Sequence, residues 1–123
     1  MGLYERLGGD EGVDRAVSEL STRIRDDAVL GPFFDALDYD AIVQHRADYL
    51  AAILGGPERY TGRGMRDAHR HLQLTDEHMD AFLRLVRETL TELDVSPLDI
   101  EATVVELDRL RPALVTQVAT RRA

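Results

Sequence analysis

The residues able to carry chemistry are few and they cluster. Four histidines, His45, His69, His71 and His78, fall within one stretch of the chain. An imidazole can hold a metal, move a proton or change charge near neutral pH. His69 and His71 are two apart, so on a helix their side chains point about 200° from each other and cannot share one pocket. No His-Glu-x-x-His pair, calcium-loop pattern or nucleophile elbow occurs. Gly62-Arg63-Gly64 is too short for a dinucleotide loop. Cysteine is absent, which excludes disulfides, thiolate metal sites and thiol nucleophiles. What remains is an imidazole, His69, and two polar residues, Ser21 and Arg46, that intrude on apolar helical faces. Each has a bland reading: a satisfied histidine, a serine bonded back to its own helix, an arginine reaching for solvent. Together they describe a cavity polar on one side with a donor imidazole on the other, which suits a buried planar cofactor.

Helices must position these groups. Val13, Val17, Leu20 and Ile24 recur every three or four residues, predicting a helix from about Glu11 to Arg25 with Asp10 as N-cap and Ser21 on its inward face. A short turn ends in Phe33-Phe34. A second helix, about Tyr39 to Leu54, has Asp38 as possible cap and carries Ile42, Tyr49, Leu50, Ile53 and Leu54, with His45 and Arg46 on or beside that stripe. Gly55-Gly56-Pro57 ends it. After a loop, Met65 to Leu72 forms a short helix bearing His69 and His71. Thr75 caps a third long helix, Asp76 to Leu93, with His78 near its start in a capping or solvent role. Ser96-Pro97 opens a fourth, Leu98 to about Thr120, whose Ile100, Val104, Leu107, Leu114 and Val118 face inward. No segment alternates with period two, so the fold class is all-α.

Composition narrows the function. The chain of 123 residues fits one domain, 1–123. Its formal net charge is −8, from 15 basic and 23 acidic residues, and every basic residue is arginine. An acidic chain lacks the footprint for nucleic acid or an anionic membrane. Acid-rich, lysine-free composition fits a salty cytoplasm or a GC-rich genome. The first residues hold no apolar signal core, and the longest apolar stretch, Tyr49 to Leu54, is far short of a membrane span. A cytoplasmic protein is expected.

Read in order, the motifs resemble a known family. Leu3-Tyr4-Glu5-Arg6-Leu7-Gly8-Gly9, Asp26-Asp27 through Phe33-Phe34, Leu54-Gly55-Gly56-Pro57, Tyr60-Thr61-Gly62, Met65, His69 and His78 together resemble the truncated haemoglobins, most closely group I. The resemblance covers nearly the whole chain. It implies a two-over-two helical sandwich around haem b, with His69 as the proximal iron ligand. Phe34 then stacks on the haem, Tyr60, Met65 and Tyr49 lie beside it, and Arg66 or Arg59 pairs with a propionate.

The departures lie on the distal side. Many relatives carry a tyrosine where this chain has Ser21, whose hydroxyl has a shorter reach. A glutamine often stands where this chain has Arg46, which keeps a charge and five donors. With Ile42 and His45 these residues form the expected distal pocket. His45 matches a position that in some relatives is a sixth iron ligand, so two readings stand: His45 on the iron, or an open site governed by Arg46. The resemblance implies reversible binding of dioxygen and of other diatomic gases such as nitric oxide or carbon monoxide. The enzymatic alternatives are nitric oxide dioxygenation and a peroxidase-like activity, either needing an external reductase or other electron donor. The alternative from another class is a helical interaction module without haem.

Overall fold

The computed structural model describes residues 2–34, 39–56 and 73–115. Six α-helices occur there: α1 Leu3–Arg6, α2 Gly9–Asp26, α3 Tyr39–Ile53, α4 Asp76–Glu92, α5 Pro97–Asp108 and α6 Arg111–Leu114. A 3₁₀ turn, Gly31–Phe34, follows α2. The sole pairing outside helices among the described residues is a parallel bridge between Leu74 and Val115.

The helices stack in pairs. α2 packs on α3, α4 packs on α5, and α2 packs on α4. This is the two-over-two sandwich. α2 joins two apolar clusters because its stripe runs along its whole length. Val13 and Val17 meet Tyr4, Ala47, Ala51 and Leu54. Leu20 and Ile24 meet the larger cluster, which includes Leu83, Val86, Leu90, Ile100, Val104 and Leu107. Burying a leucine or valine side chain in such a cluster contributes about 1.5–3 kcal/mol.

The helix ends follow local chemistry. Gly55 takes φ +95°, the left-handed region that glycine enters without a Cβ clash. The Gly56 N–H then donates to Ala51 O at 2.8 Å, six residues spanned, and α3 stops. The Thr75 hydroxyl accepts from His78 N, while Thr75 N donates to His78 Nδ1 at 2.9 Å. The sequence expectation of a capping role for His78 therefore holds. Ser96 Oγ accepts from Asp99 N at 3.2 Å, with Pro97 in the first helical position.

Two expectations need correction. Asp10 does not cap α2, which begins after Gly8 at Gly9. Its carboxylate instead accepts from the Tyr4 hydroxyl. α1 sits close enough for this because Gly12 leaves room: a Cβ there would lie 1.9 Å from Leu7 O. The expected fourth helix to about Thr120 breaks after Asp108. Pro112 has no N–H, and its ring collides with the carbonyl four residues earlier, that of Asp108. The chain tightens, with Leu110 N donating to Leu107 O at 3.0 Å, and restarts as α6. Leu114 still reaches the core, being 7% exposed. Val118 and Asp38 lie outside the described residues, as does the expected helix Met65–Leu72.

Arg111 ties α6 to α4. Its guanidinium donates to Asp76 at 2.9 Å, Asp80 at 2.8 Å and Asp108 at 2.9 Å. The Asp76 contact, with Asp80 and Asp108 behind it, raises the Arg111 pKa against the effect of burial.

Candidate functional site

Ser21 lies on α2, four residues after Val17 and three before Ile24, so the helix turns it into the apolar interior. It is 1% exposed. A buried hydroxyl needs a partner. Thr89 and Thr103 find theirs in their own helices, donating to Leu85 O and Asp99 O, each at 2.8 Å. Ser21 does not bond back in this way. Its oxygen accepts from Arg46 Nη1 at 2.5 Å, across the crossing of α2 and α3. Since that oxygen acts as acceptor, its own proton stays available, and no acceptor for it occurs among the described residues.

Arg46 is half-buried. Loss of water around the guanidinium pushes its pKa down to about 10, while the Tyr39 phenol acts in the opposite direction. At neutral pH it therefore keeps its charge. Away from bulk water its field on a neighbour is weakened less than in water. Tyr39 was not among the residues singled out from the sequence. It starts α3 and lies under the Arg25 guanidinium, 4.8 Å from ring centre to carbon. Nothing in sequence spacing pointed to it, because the contact joins two elements separated by the 3₁₀ turn.

The other expected site residues are placed as follows. Ile42, one turn before Arg46 on α3, is half-buried, and His45 is exposed. Phe34 ends the 3₁₀ turn and Tyr49 lies in α3. His69, Tyr60, Met65 and Arg66 lie outside the described residues, as do Arg59 and His71. Leu74, which follows that stretch, is pinned by its bridge to Val115. Phe33 packs edge-on against the His78 ring, with centroids 5.0 Å apart. That contact links the turn after α2 to the start of α4. The sequence signal for it was only the adjacency of two phenylalanines. Among the described residues no group of three or more His, Asp or Glu could hold a metal ion.

The core holds an apolar cavity of about 40 Å³. Val17, Leu20, Leu50, Leu54, Val86 and Leu107 are among its walls. Its two hydroxyls, Thr89 and Thr103, are already bonded to their own helices. Such a space suits a small apolar molecule better than water, which needs polar partners.

Several large apolar side chains remain only half-buried: Phe33, Ile42, Leu74 and Phe82. Together with a half-buried cation and a buried hydroxyl, such apolar surface fits a flat apolar ring with a polar centre.

Comparison with known proteins agrees with this geometry. A family model described as bacterial-like globin matches residues 2–116. The group 1 truncated hemoglobin of a Nostoc strain is 30% identical over 115 residues, covering 94% of this chain and 98% of its own. The solved Fe(III) form of the truncated hemoglobin from Tetrahymena pyriformis is 30% identical, with a TM-score of 0.90, covering 94% of this chain and 98% of that one. The 2/2 hemoglobin from Synechococcus sp. PCC 7002, solved in the cyanomet state with covalently attached heme, is 34% identical with a TM-score of 0.89. It covers 95% of this chain and 100% of that one. No described helix is long and apolar enough to cross a membrane.

Proposed function

Since this chain belongs to the bacterial-like globin family, among the group 1 truncated haemoglobins, we propose that it binds dioxygen, and with it carbon monoxide and nitric oxide, beside Ser21 and Arg46. Haem b is the cofactor. Its iron supplies the position at which a diatomic gas binds. His69 is the residue that would hold the iron, as a neutral imidazole donor. Phe34, Tyr60, Met65 and Tyr49 would flank the ring, and Arg66 would meet a propionate. Ser21, Ile42, His45 and Arg46 form the distal wall.

The observation that carries this reading is the 2.5 Å bond from Arg46 Nη1 to Ser21 Oγ. It places a cation and a hydroxyl together between two helices that also share an apolar cluster. Taking a guanidinium out of water is unfavourable. With a ligand, it offers hydrogen bonds in a dry site, where they are strong. The anchored Arg46 also supports the open-site reading over ligation by His45, which is exposed.

The test is the visible spectrum of the purified protein, with haem added, in ferric, deoxy-ferrous and carbonyl forms. A Soret band in all three, with a five-coordinate deoxy spectrum, is expected. Absence of any Soret band would return the chain to a helical interaction module. A low-spin six-coordinate deoxy spectrum that His45→Ala removes would make His45 the sixth ligand.

A further inference from the structure

We infer that Tyr4 is a positioning residue for the gas site: from the far end of the α2–α3 crossing it sets how firmly Ser21 and Arg46 are held beside a bound ligand. This role presupposes the haem reading above and concerns a residue outside the distal wall.

The crossing is tied by polar bonds at both ends. At one end Arg46 Nη1 donates to Ser21 Oγ at 2.5 Å. At the other, Tyr4 of α1 bonds to both partners. Its hydroxyl donates to the Asp10 carboxylate of α2, and its N–H donates at 3.2 Å to the carbonyl of Leu54, which directly follows α3. At 1.5 Å per residue, about 16 Å of α2 and about 12 Å of α3 separate the two ties. Val13, Val17, Ala47 and Ala51 lie between them and share one apolar cluster with Tyr4. Apolar attraction is non-directional, so this cluster holds the helices together but leaves their angle to the ties. The Tyr4 end is closely built. The ring is 8% exposed and lies against Gly56, where a Cβ would come within 2.4 Å of Tyr4 Cε1. α1 has four residues, too few to persist as a helix alone. Its place is held by these contacts and by Arg6, whose Nε donates to Asp99 at 2.9 Å. A short terminal element opens more readily than the core. When the Tyr4 tie opens, the helices pivot about the other, and the Arg46–Ser21 bond takes up the movement. A bound gas then loses a fixed neighbour and leaves sooner.

The experiment follows dioxygen release from the ferrous haem protein by stopped flow. Tyr4→Phe keeps the ring and removes the bond to Asp10. It should speed release about three- to tenfold. Ser96→Ala also costs stability but lies outside this tie, and it should leave the rate unchanged. Tyr4→Phe, Ser21→Ala and the double variant form a cycle. Residues this far apart normally act additively. Here the Tyr4→Phe effect should shrink by at least about threefold in the Ser21→Ala background, because the bond through which it acts is gone. The infrared C–O stretch of the carbonyl form should broaden or split in Tyr4→Phe, since it senses the displaced Arg46 charge, and should stay as it was in Ser96→Ala. The wild type supplies a readout that needs no variant. If docked α1 favours ligand binding, ligand binding must favour docked α1. Hydrogen exchange of the Tyr4 amide should therefore slow when carbon monoxide binds. Equal release rates in Tyr4→Phe and wild type, or a strictly additive cycle, would overturn the inference and leave the haem reading standing. So would Tyr4 exchange indifferent to carbon monoxide, which decides the matter if the variants do not fold. A wild type that takes up no haem would remove both readings at once.

Discussion

Where α4 meets α5, polar groups are kept local. Thr89 and Thr103 turn back on their own helices, Ser96 caps α5, and Arg87 pairs with Glu101 at the surface. Where α2 meets α3, a polar contact crosses between helices inside the fold, from Arg46 to Ser21. Both crossings bury apolar stripes, but only one contains a charge. The α4–α5 half has the chemistry of a scaffold, in which each buried polar atom is satisfied without reference to anything outside. The α2–α3 crossing instead joins its two helices through a half-buried cation. Molecules keep such local violations of packing logic where function needs them.

The largest effect should come from the residue assigned to hold the iron. His69→Ala should lose most haem, read as the Soret-to-protein absorbance ratio after purification. Because haem binds folded chain and not unfolded chain, the variant should also lose the stabilisation that binding confers, about 4 kcal/mol at haem a thousandfold above its dissociation constant. If haem retention is unchanged, His69 is not the ligand and His45 is the next candidate.

Next in size is a change in the scaffold half. Leu107 is 1% exposed and central to the larger cluster. Leu107→Ala should cost about 2–5 kcal/mol in chemical denaturation, with the ligand-binding constants of the folded protein nearly unchanged. A large shift in those constants would show that the two regions are coupled and weaken the distinction drawn between them.

Ser21→Tyr reverses the pattern. It should alter ligand release more than the scaffold change does. The phenol hydroxyl reaches farther than the serine and takes a place beside the ligand, adding a hydrogen bond worth about 1–2 kcal/mol in a dry site. Dioxygen dissociation followed by stopped flow should slow by roughly tenfold. An unaltered rate would mean that the α2 face does not meet the gas. By contrast Ser96→Ala, which removes the cap of α5, should cost about 1 kcal/mol of stability and leave the release rate as it was.

The same division governs how much was legible in the sequence. The stripes of α2, α4 and α5 could be read directly, since apolar residues recur at the helical period and Thr75, Ser96 and Gly55-Gly56 mark the ends. The break before Arg111 was overlooked although Pro112 announces it, because Leu114 restores the apolar spacing three residues after the turn and the period looks continuous. Asp10 was misassigned because an acidic residue before an apolar stripe has the composition of a cap. The glycines at positions 8 and 9 start the helix earlier and free the carboxylate for Tyr4. At the site, Ser21 and Arg46 stood out as polar residues on apolar faces. Their mutual hydrogen bond did not, because it depends on how α2 crosses α3, and helical spacing says nothing about crossing. Tyr39 and the Phe33–His78 contact were invisible for the same reason.

The smallest effect lies at the junction of the two regions, where α2 ends. Asp27 accepts from Val29 N at 2.9 Å and Leu30 N at 3.1 Å, and pairs with Arg84 of α4 at 3.2 Å. Burial alone would raise its pKa, but the Leu30 and Val29 N–H groups and the Arg84 guanidinium outweigh it and hold the carboxyl below its ordinary 3.8. The folded state therefore binds this proton less readily than the unfolded chain. The resulting stability is fully present above the unfolded value and is lost as pH falls through the lower folded value. Asn at this position still accepts from the two backbone donors and loses only the charge facing a half-exposed Arg84. Asp27→Asn should thus cost only about 0.5 kcal/mol at neutral pH, and the two proteins should converge in urea denaturation as the pH drops below 3.8. A gap that persists in acid would locate the cost in the shape of the turn and not in its charge. A gap of several kcal/mol would mean that the junction, like Arg46, holds a charge on which more than the scaffold depends.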